Sequence, residues 1–272
     1  MEDEAELSPF RLADERARAD LLVVEGEIAL RRLLSSGAAP RTVLCTPAKQ
    51  AALRELLPPE TRIVVREAAR LRALVGYGFH RGVLATAARP PVRSALPAEL
   101  VARLAARGRS TLVLAERISD GSNLGALVRN AYALGADAVL ADAAGADPWS
   151  RKAIRASAGT VFLLPTIVTH DLAAAAVGLR AALGARLAVA LAAAPAGVRH
   201  PVVSVDAYQR PAHLLLALGS EGAGLSERLG ACADDAITIR MQRHADSLNV
   251  AAASAVLLYA LAPERVEPTK IG

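Results

Sequence analysis

Three polar or glycine-rich stretches interrupt an otherwise oily chain, and each carries side chains able to do chemistry. The first is Glu116-Arg117-Ile118-Ser119-Asp120-Gly121-Ser122-Asn123-Leu124-Gly125, which runs into a helical pattern. Leu124, Leu127, Val128, Ala131 and Leu134 recur at helical spacing and predict a buried stripe. Arg129 lies about 140° around the helix from Leu124, away from that stripe, and so faces solvent, a ligand or a partner chain. Its planar guanidinium is suited to gripping a phosphate or stabilising an oxygen that gathers negative charge. Asn123 reads equally as a helix-start residue and as a positioning amide.

The second stretch, Leu218-Gly219-Ser220-Glu221-Gly222-Ala223-Gly224-Leu225-Ser226, follows the apolar run Leu214 to Leu216. Its glycines let backbone approach a ligand closely. The spacing imitates a phosphate-binding P-loop, but Leu225 stands where that motif needs lysine, and Glu221 adds an acid. A triphosphate is therefore a poor fit. The third stretch, Ile239-Arg240-Met241-Gln242-Arg243-His244-Ala245-Asp246-Ser247-Leu248-Asn249, enters a helix expected over Leu248 to Leu261. Its apolar face is read as Leu248, Ala251, Ala252, Ala255 and Leu258, with Asp246 or Ser247 as the cap and Asn249 just inside.

Taken in order, the three stretches resemble the motifs of the SpoU/TrmH branch of the SPOUT RNA methyltransferases. Ser122-Asn123-Leu124-Gly125-Ala126-Leu127-Val128-Arg129-Asn130-Ala131 matches the first. Leu218-Gly219-Ser220-Glu221-Gly222 with Gly224-Leu225-Ser226 matches the second. Ile239-Arg240-Met241 and Asp246-Ser247-Leu248-Asn249-Val250 match the third. Arg155-Ala156-Ser157-Ala158-Gly159 also fits the family's middle region, and the resemblance spans roughly residues 110 to 261. One small departure is Arg240, which replaces a proline common before the motif-three methionine.

The resemblance implies methyl transfer from S-adenosylmethionine to a ribose 2′-hydroxyl of RNA, ribosomal or transfer, with 23S ribosomal RNA favoured by the two-domain layout. Carried over by position, Ala190, Leu218, Gly219, Ile239, Met241 and Leu248 would hold the cofactor. Asn123, Arg129, Glu221, Ser247 and Asn249 would form the catalytic set. The family's site is completed across a homodimer formed through the catalytic domain, with the arginine supplied by the partner chain. The implied fold is an α/β domain with a mostly parallel sheet, helices on both faces and a deep trefoil knot. No periodicity could show such a knot. The earlier part of the chain resembles the small L30e-like substrate-binding domain that often precedes this one, on Val24-Glu25-Gly26-Glu27 and His80-Arg81-Gly82-Val83.

Elements able to position these loops are legible along the chain. Leu21 to Val24, Thr42 to Cys45, Arg62 to Val65 and Gly82 to Ala87 read as strands, with helices near Glu27 to Leu34 and Ala48 to Leu57. The run Ala88-Arg89-Pro90-Pro91-Val92-Arg93-Ser94 breaks every pattern. We therefore expect an RNA-binding domain over 1–88, a linker over 89–97 and the catalytic domain over 98–272. Further strands are expected at Thr111 to Leu114, Ala138 to Leu140, Val161 to Leu164, Arg186 to Leu191, His213 to Leu218 and Ala236 to Ile239. Strands alternating with helices argue for a parallel sheet covered on both faces. Ligands of such sheets sit beyond the carboxyl ends of the strands, where the three stretches lie.

Composition narrows the classes. With 32 Lys+Arg against 27 Asp+Glu the net charge is +5, a mild pull toward a polyanion. Nearly all of that positive charge is arginine, and abundant alanine alongside it is also what a biased genome composition produces. One Trp, four Tyr and three Phe are too few for a base-stacking platform. Arg151, Lys152 and Arg155 beside Trp149, together with His80 and Arg81, are candidate RNA contacts. Two cysteines, Cys45 and Cys232, allow neither a disulfide framework nor a cysteine-rich zinc site, and no metal is expected. No membrane span and no signal peptide are evident, so a cytoplasmic protein is expected. Two other classes remain: a catalytically inactive RNA-binding or ribosome-assembly factor of the same fold, and a nucleotide-binding oxidoreductase, which lacks its glycine fingerprint.

Overall fold

The apolar runs become strands, and the glycines and prolines between them become turns. The computed structural model describes residues 7–11, 20–75, 82–91, 93–191, 201–220, 222–242 and 247–262. By compactness the chain divides into two units. The first gathers residues 1–91 with 147–163, and the second gathers 92–146 with 164–272. Where the sequence suggests a single cut at 89–97, the segment 147–163 belongs to the first unit.

In the first unit, β1 (Leu21–Glu25), β2 (Pro40–Cys45), β3 (Arg62–Val65) and β4 (Val83–Ala88) form one sheet in the order β1-β4-β2-β3. The first two pairings are antiparallel, and β2 runs parallel to β3. Helices α1 (Glu27–Ser35), α2 (Pro47–Leu56) and α3 (Ala68–Val75) connect them. Phe10, Leu7, Leu44, Leu71 and Leu84 are buried together in its core. Burial of the Cys45 thiol there pushes its pKa up.

Segment 147–163 carries α6 (Arg151–Ala156) and a 3-10 turn, Thr160–Phe162. It docks tightly, because a Cβ on Gly159 would fall 2.8 Å from the Ala29 Cα of α1. Arg32 Nη1 donates to the Ala158 carbonyl at 2.8 Å. The expected strand Val161 to Leu164 is thus a correction: those residues form the 3-10 turn and its exit. The strand comes later, at Thr166–Thr169, where β-branched residues follow Pro165.

The second unit holds β5 (Ser110–Ala115), β6 (Ala138–Asp142), β7 (Thr166–Thr169), β8 (Arg186–Leu191), β9 (Val202–Ser204), β10 (His213–Leu218) and β11 (Asp235–Thr238). They form one sheet in the order β7-β6-β5-β10-β8-β11-β9, and every pairing is parallel. Strand β9 was not anticipated. Helices α4 (Ala98–Arg107), α7 (Leu172–Leu183) and α8 (Glu227–Ala231) share a core with Leu112, Leu114, Leu187, Val189, Leu215 and Ala217. The alternate residues Val113, Ala188, Leu214 and Leu216 are equally buried, so the sheet is covered on both faces as expected. Helices α5 (Gly121–Ala133) and α9 (Val250–Ala260) pack along each other.

Among the described residues no helix is long and apolar enough to cross a membrane.

Candidate active site

All three motif stretches leave the carboxyl edge of the parallel sheet. The first follows β5, the second follows β10, its hydrogen-bonded neighbour, and the third follows β11. Strand β8 lies between β10 and β11 and brings Ala190 opposite Ile237. Ala190, Leu218, Gly219, Ile239 and Met241 therefore sit at the ends of three adjacent strands. Backbone from several loops can meet one ligand there.

The first loop enters α5 under a firm cap. Asp120 Oδ1 accepts from the backbone of Ser122 at 2.7 Å and of Asn123 at 3.1 Å. Asp120 thus takes the cap role considered for Asn123, whose own amide is turned elsewhere: Asn123 Oδ1 accepts from Asn249 Nδ2 at 3.0 Å. Asn249 is not inside the last helix but is its cap, since its Oδ1 accepts from Ala251 N at 2.9 Å. That corrects the expected cap at Asp246 or Ser247; Ser247 is exposed ahead of the helix and Asp246 lies outside the described residues. One side chain therefore starts α9 and joins motif three to motif one.

Two turns further along, Asn130 Nδ2 donates to the Ala251 carbonyl at 2.8 Å and to Ser254 Oγ at 3.0 Å. Ser254 is fully buried. Asn130 lies within the motif-one stretch, where an amide beside a buried stripe is the sequence signal for such a link. Asn130→Ala leaves these acceptors without that donor and should lower stability by about 1–2 kcal/mol, read as a drop in urea midpoint at constant m-value.

Arg129 is exposed while Leu124, Leu127, Val128 and Ala131 are buried, as the helical spacing predicts. Among the described residues no ion pair with its guanidinium is found. It stands roughly 9 Å along the helix from Asn123. Tyr132 shares its side of α5 and is exposed, as are Val256 and Tyr259 on the neighbouring helix α9.

In the second loop, a Cβ on Gly219 would lie 2.3 Å from the carbonyl carbon of Gly224 and 2.6 Å from Leu225 N. The two arms of the loop meet there, bridged by Gly224 N donating to the Ser220 carbonyl at 3.0 Å. Gly224 has a φ of 64°, a conformation that suits glycine. In the third loop, Arg240 pairs with Asp206 just after β9. Leu248 is an exposed large apolar side chain between exposed Ser247 and Asn249. It was expected on the buried face of the last helix as well as at the cofactor, and the first of these is corrected.

Three of the expected site residues, Glu221, His80 and Arg81, lie outside the described residues. Of the expected RNA contacts within them, Lys152 and Arg155 are exposed. Arg151 is a correction: it is 3% exposed, donates to the Phe10 carbonyl at 3.0 Å and faces the buried Glu25 carboxylate at 3.5 Å. A guanidinium buried in this way supports the first unit and is not presented to a polyanion. Among the described residues no group of three or more His, Cys, Asp or Glu side chains could hold a metal ion.

Residues 110–259 match the SpoU rRNA methylase family. The chain belongs to this family. Several relatives cover close to nine-tenths of it, two of them as follows. A Mycobacterium tuberculosis protein described as an uncharacterized tRNA/rRNA methyltransferase is 34% identical over 88% of this chain and 80% of its own. The 23S rRNA (guanosine-2′-O-)-methyltransferase RlmB of a Burkholderia species is 30% identical over 87% and 93%. The fold is that of the SpoU methyltransferase AviRb from Streptomyces viridochromogenes, with a TM-score of 0.76 at 23% identity over 96% of each chain; AviRb has also been solved with AdoMet. Family membership makes this chain an RNA methyltransferase that uses S-adenosylmethionine.

The site fits such a donor on its own evidence. Loop backbone converges at three neighbouring strand ends, an exposed leucine offers an apolar wall, and the close backbone approach at Gly219 holds one loop in a fixed shape.

Proposed function

We propose that this protein methylates a ribose 2′-hydroxyl in RNA, with 23S ribosomal RNA as the favoured target and transfer RNA as the alternative. One observation carries the reading: the Asn123–Asn249 hydrogen bond joins motif one to motif three at the sheet edge where motif two also emerges. The names of the two relatives support the substrate class.

In this reading backbone at Leu218, Gly219, Ile239 and Met241 holds the cofactor, Leu248 packs against it and Ala190 borders it. The bound donor supplies an activated methyl on a sulfonium. The protein must then align a ribose oxygen and ease the loss of its proton, and alignment alone is worth up to about 7–11 kcal/mol. Arg129 grips the adjacent phosphate with its forked donors and stabilises negative charge as it develops on the oxygen. An electrostatic role suits a side chain that stays protonated better than that of a base. Asn123, Ser247 and Asn249 shape the floor around the ribose, and Glu221 orients neighbouring donors.

The same reading takes the protein to be a cytoplasmic homodimer. Exposed Tyr132 on α5, with exposed Val256 and Tyr259 on the adjoining α9, favours a partner copy on these two helices. The knot implied by the resemblance is part of the proposal and is consistent with β10 inserted between β5 and β8. The first unit binds RNA, with Lys152 and Arg155 among its contacts.

The full-length protein should bind S-adenosylhomocysteine in calorimetry. Ribose-methylation mapping of total RNA should show one site lost on deletion and restored on complementation. A protein that binds RNA with steep salt dependence, yet restores no methyl group, would be the inactive assembly factor instead.

A further inference from the structure

Glu116 directly follows β5 and is buried, 6% exposed, at the sheet edge where the three motif loops emerge. A carboxylate so deeply placed is costly unless its oxygens are matched. Both oxygens reach one residue of the motif-two loop. Oε2 accepts from Ser226 N and Oε1 from Ser226 Oγ, each at 2.6 Å. Glu116 N in turn donates to the Leu218 carbonyl at 2.9 Å, on the other side of that loop. One residue therefore holds both feet of the segment 218–226.

The surroundings fix the carboxylate in turn. The next residue, Arg117, has a φ of 50°, a conformation rarely adopted outside glycine. The chain is held in it by the Ile118 carbonyl accepting from Ala146 N at 2.7 Å, and Gly145 packs so closely that a Cβ would lie 3.0 Å from that same carbonyl oxygen. Such local strain persists where the surroundings over-determine it, commonly beside functional sites. Ser226 Oγ also accepts from Leu229 N and so starts α8. The loop ends at a capped helix whose cap is gripped by Glu116.

We propose that Glu116 is a positioning residue for cofactor binding: through Ser226 it sets the shape of the motif-two loop without touching the donor. The inference rests on the proposed cofactor site. Glu116→Ala should raise the dissociation constant for S-adenosylhomocysteine by at least about tenfold, given two hydrogen bonds to a charged group. The KM for the donor rises in parallel, while kcat at saturating donor stays within about threefold. Glu116→Gln, which keeps shape and one acceptor, falls between, and Ser226→Ala resembles Glu116→Ala. Because one contact joins them, the double variant should bind no worse than the poorer single one.

Calorimetry, donor-saturation kinetics and thermal melts on the full-length protein test this. If Glu116→Ala does not fold, Glu116→Gln and Ser226→Ala decide. Folded variants with a dissociation constant within twofold of wild type overturn the proposal, as does a fall in kcat with KM unchanged. Failure of the wild-type protein to bind S-adenosylhomocysteine would instead overturn the cofactor site itself.

Discussion

Arg129→Ala should reduce kcat by about 10²–10³-fold while leaving the affinity for S-adenosylhomocysteine within twofold of wild type. The magnitude follows from removing one preorganised donor aimed at charge that appears only in the transition state, worth about 2.7–4 kcal/mol. The sparing of the cofactor follows from position. Arg129 projects from the exposed side of α5, whereas the proposed donor-binding backbone lies at the ends of β8, β10 and β11. Arg129→Lys keeps the charge but loses the planar fork and should recover little activity. If the arginine is supplied across a dimer, mixing Arg129→Ala with Asn249→Ala protomers should restore activity toward one intact site per dimer. Single-turnover kinetics on homogeneous and mixed preparations read these outcomes. A kcat within tenfold of wild type for Arg129→Ala would remove the side chain from the reaction.

The buried stripe of α5 is legible in sequence because the helix is amphipathic: its leucines recur with period, and the angle alone places Arg129 on the exposed side. Helix α9 is not, since Val250-Ala251-Ala252-Ala253-Ser254-Ala255-Val256-Leu257-Leu258-Tyr259-Ala260 is apolar on all sides. No period survives there to say which face is inward, so Leu248 and Ala252 were assigned to a buried face when both are exposed, and Ser254 went unnoticed. The run Val161-Phe162-Leu163-Leu164 has the composition of a strand, but Gly159 ahead of it takes a positive φ and docks on Ala29. Tertiary contact overrode propensity there. Arg151 misled for the opposite reason, because its partners Phe10 and Glu25 are more than a hundred residues away and local sequence gives no hint of them. Loop order and the family resemblance carried the site; the long-range links Asn123–Asn249, Asn130–Ser254 and Glu116–Ser226 needed three dimensions.

Gly219→Ala should abolish measurable S-adenosylhomocysteine binding, a loss of at least about a hundredfold, because the loop that shapes the pocket cannot accept one more carbon. The added methyl would lie 2.3 Å from the Gly224 carbonyl carbon and 2.4 Å from its oxygen. Backbone, not a flexible side chain, blocks the way, so relief requires the two arms of the loop to part. Parting them breaks the bond from Gly224 N to the Ser220 carbonyl and pulls Leu225 away from Gly219. Overpacking of this kind costs about 1–3 kcal/mol, a substantial share of the stability of an ordinary domain. Leu218 itself is buried in the sheet and paired with Ala115, so the strand should survive and the damage should stay in the loop. Gly222→Ala is the matched control, since nothing lies within 4 Å of its added methyl. Calorimetric titration alongside circular dichroism separates the two: Gly219→Ala folded but unable to bind, Gly222→Ala close to wild type in both. Retained affinity in a folded Gly219→Ala protein would mean that the close approach of this loop's two arms does not form the cofactor site.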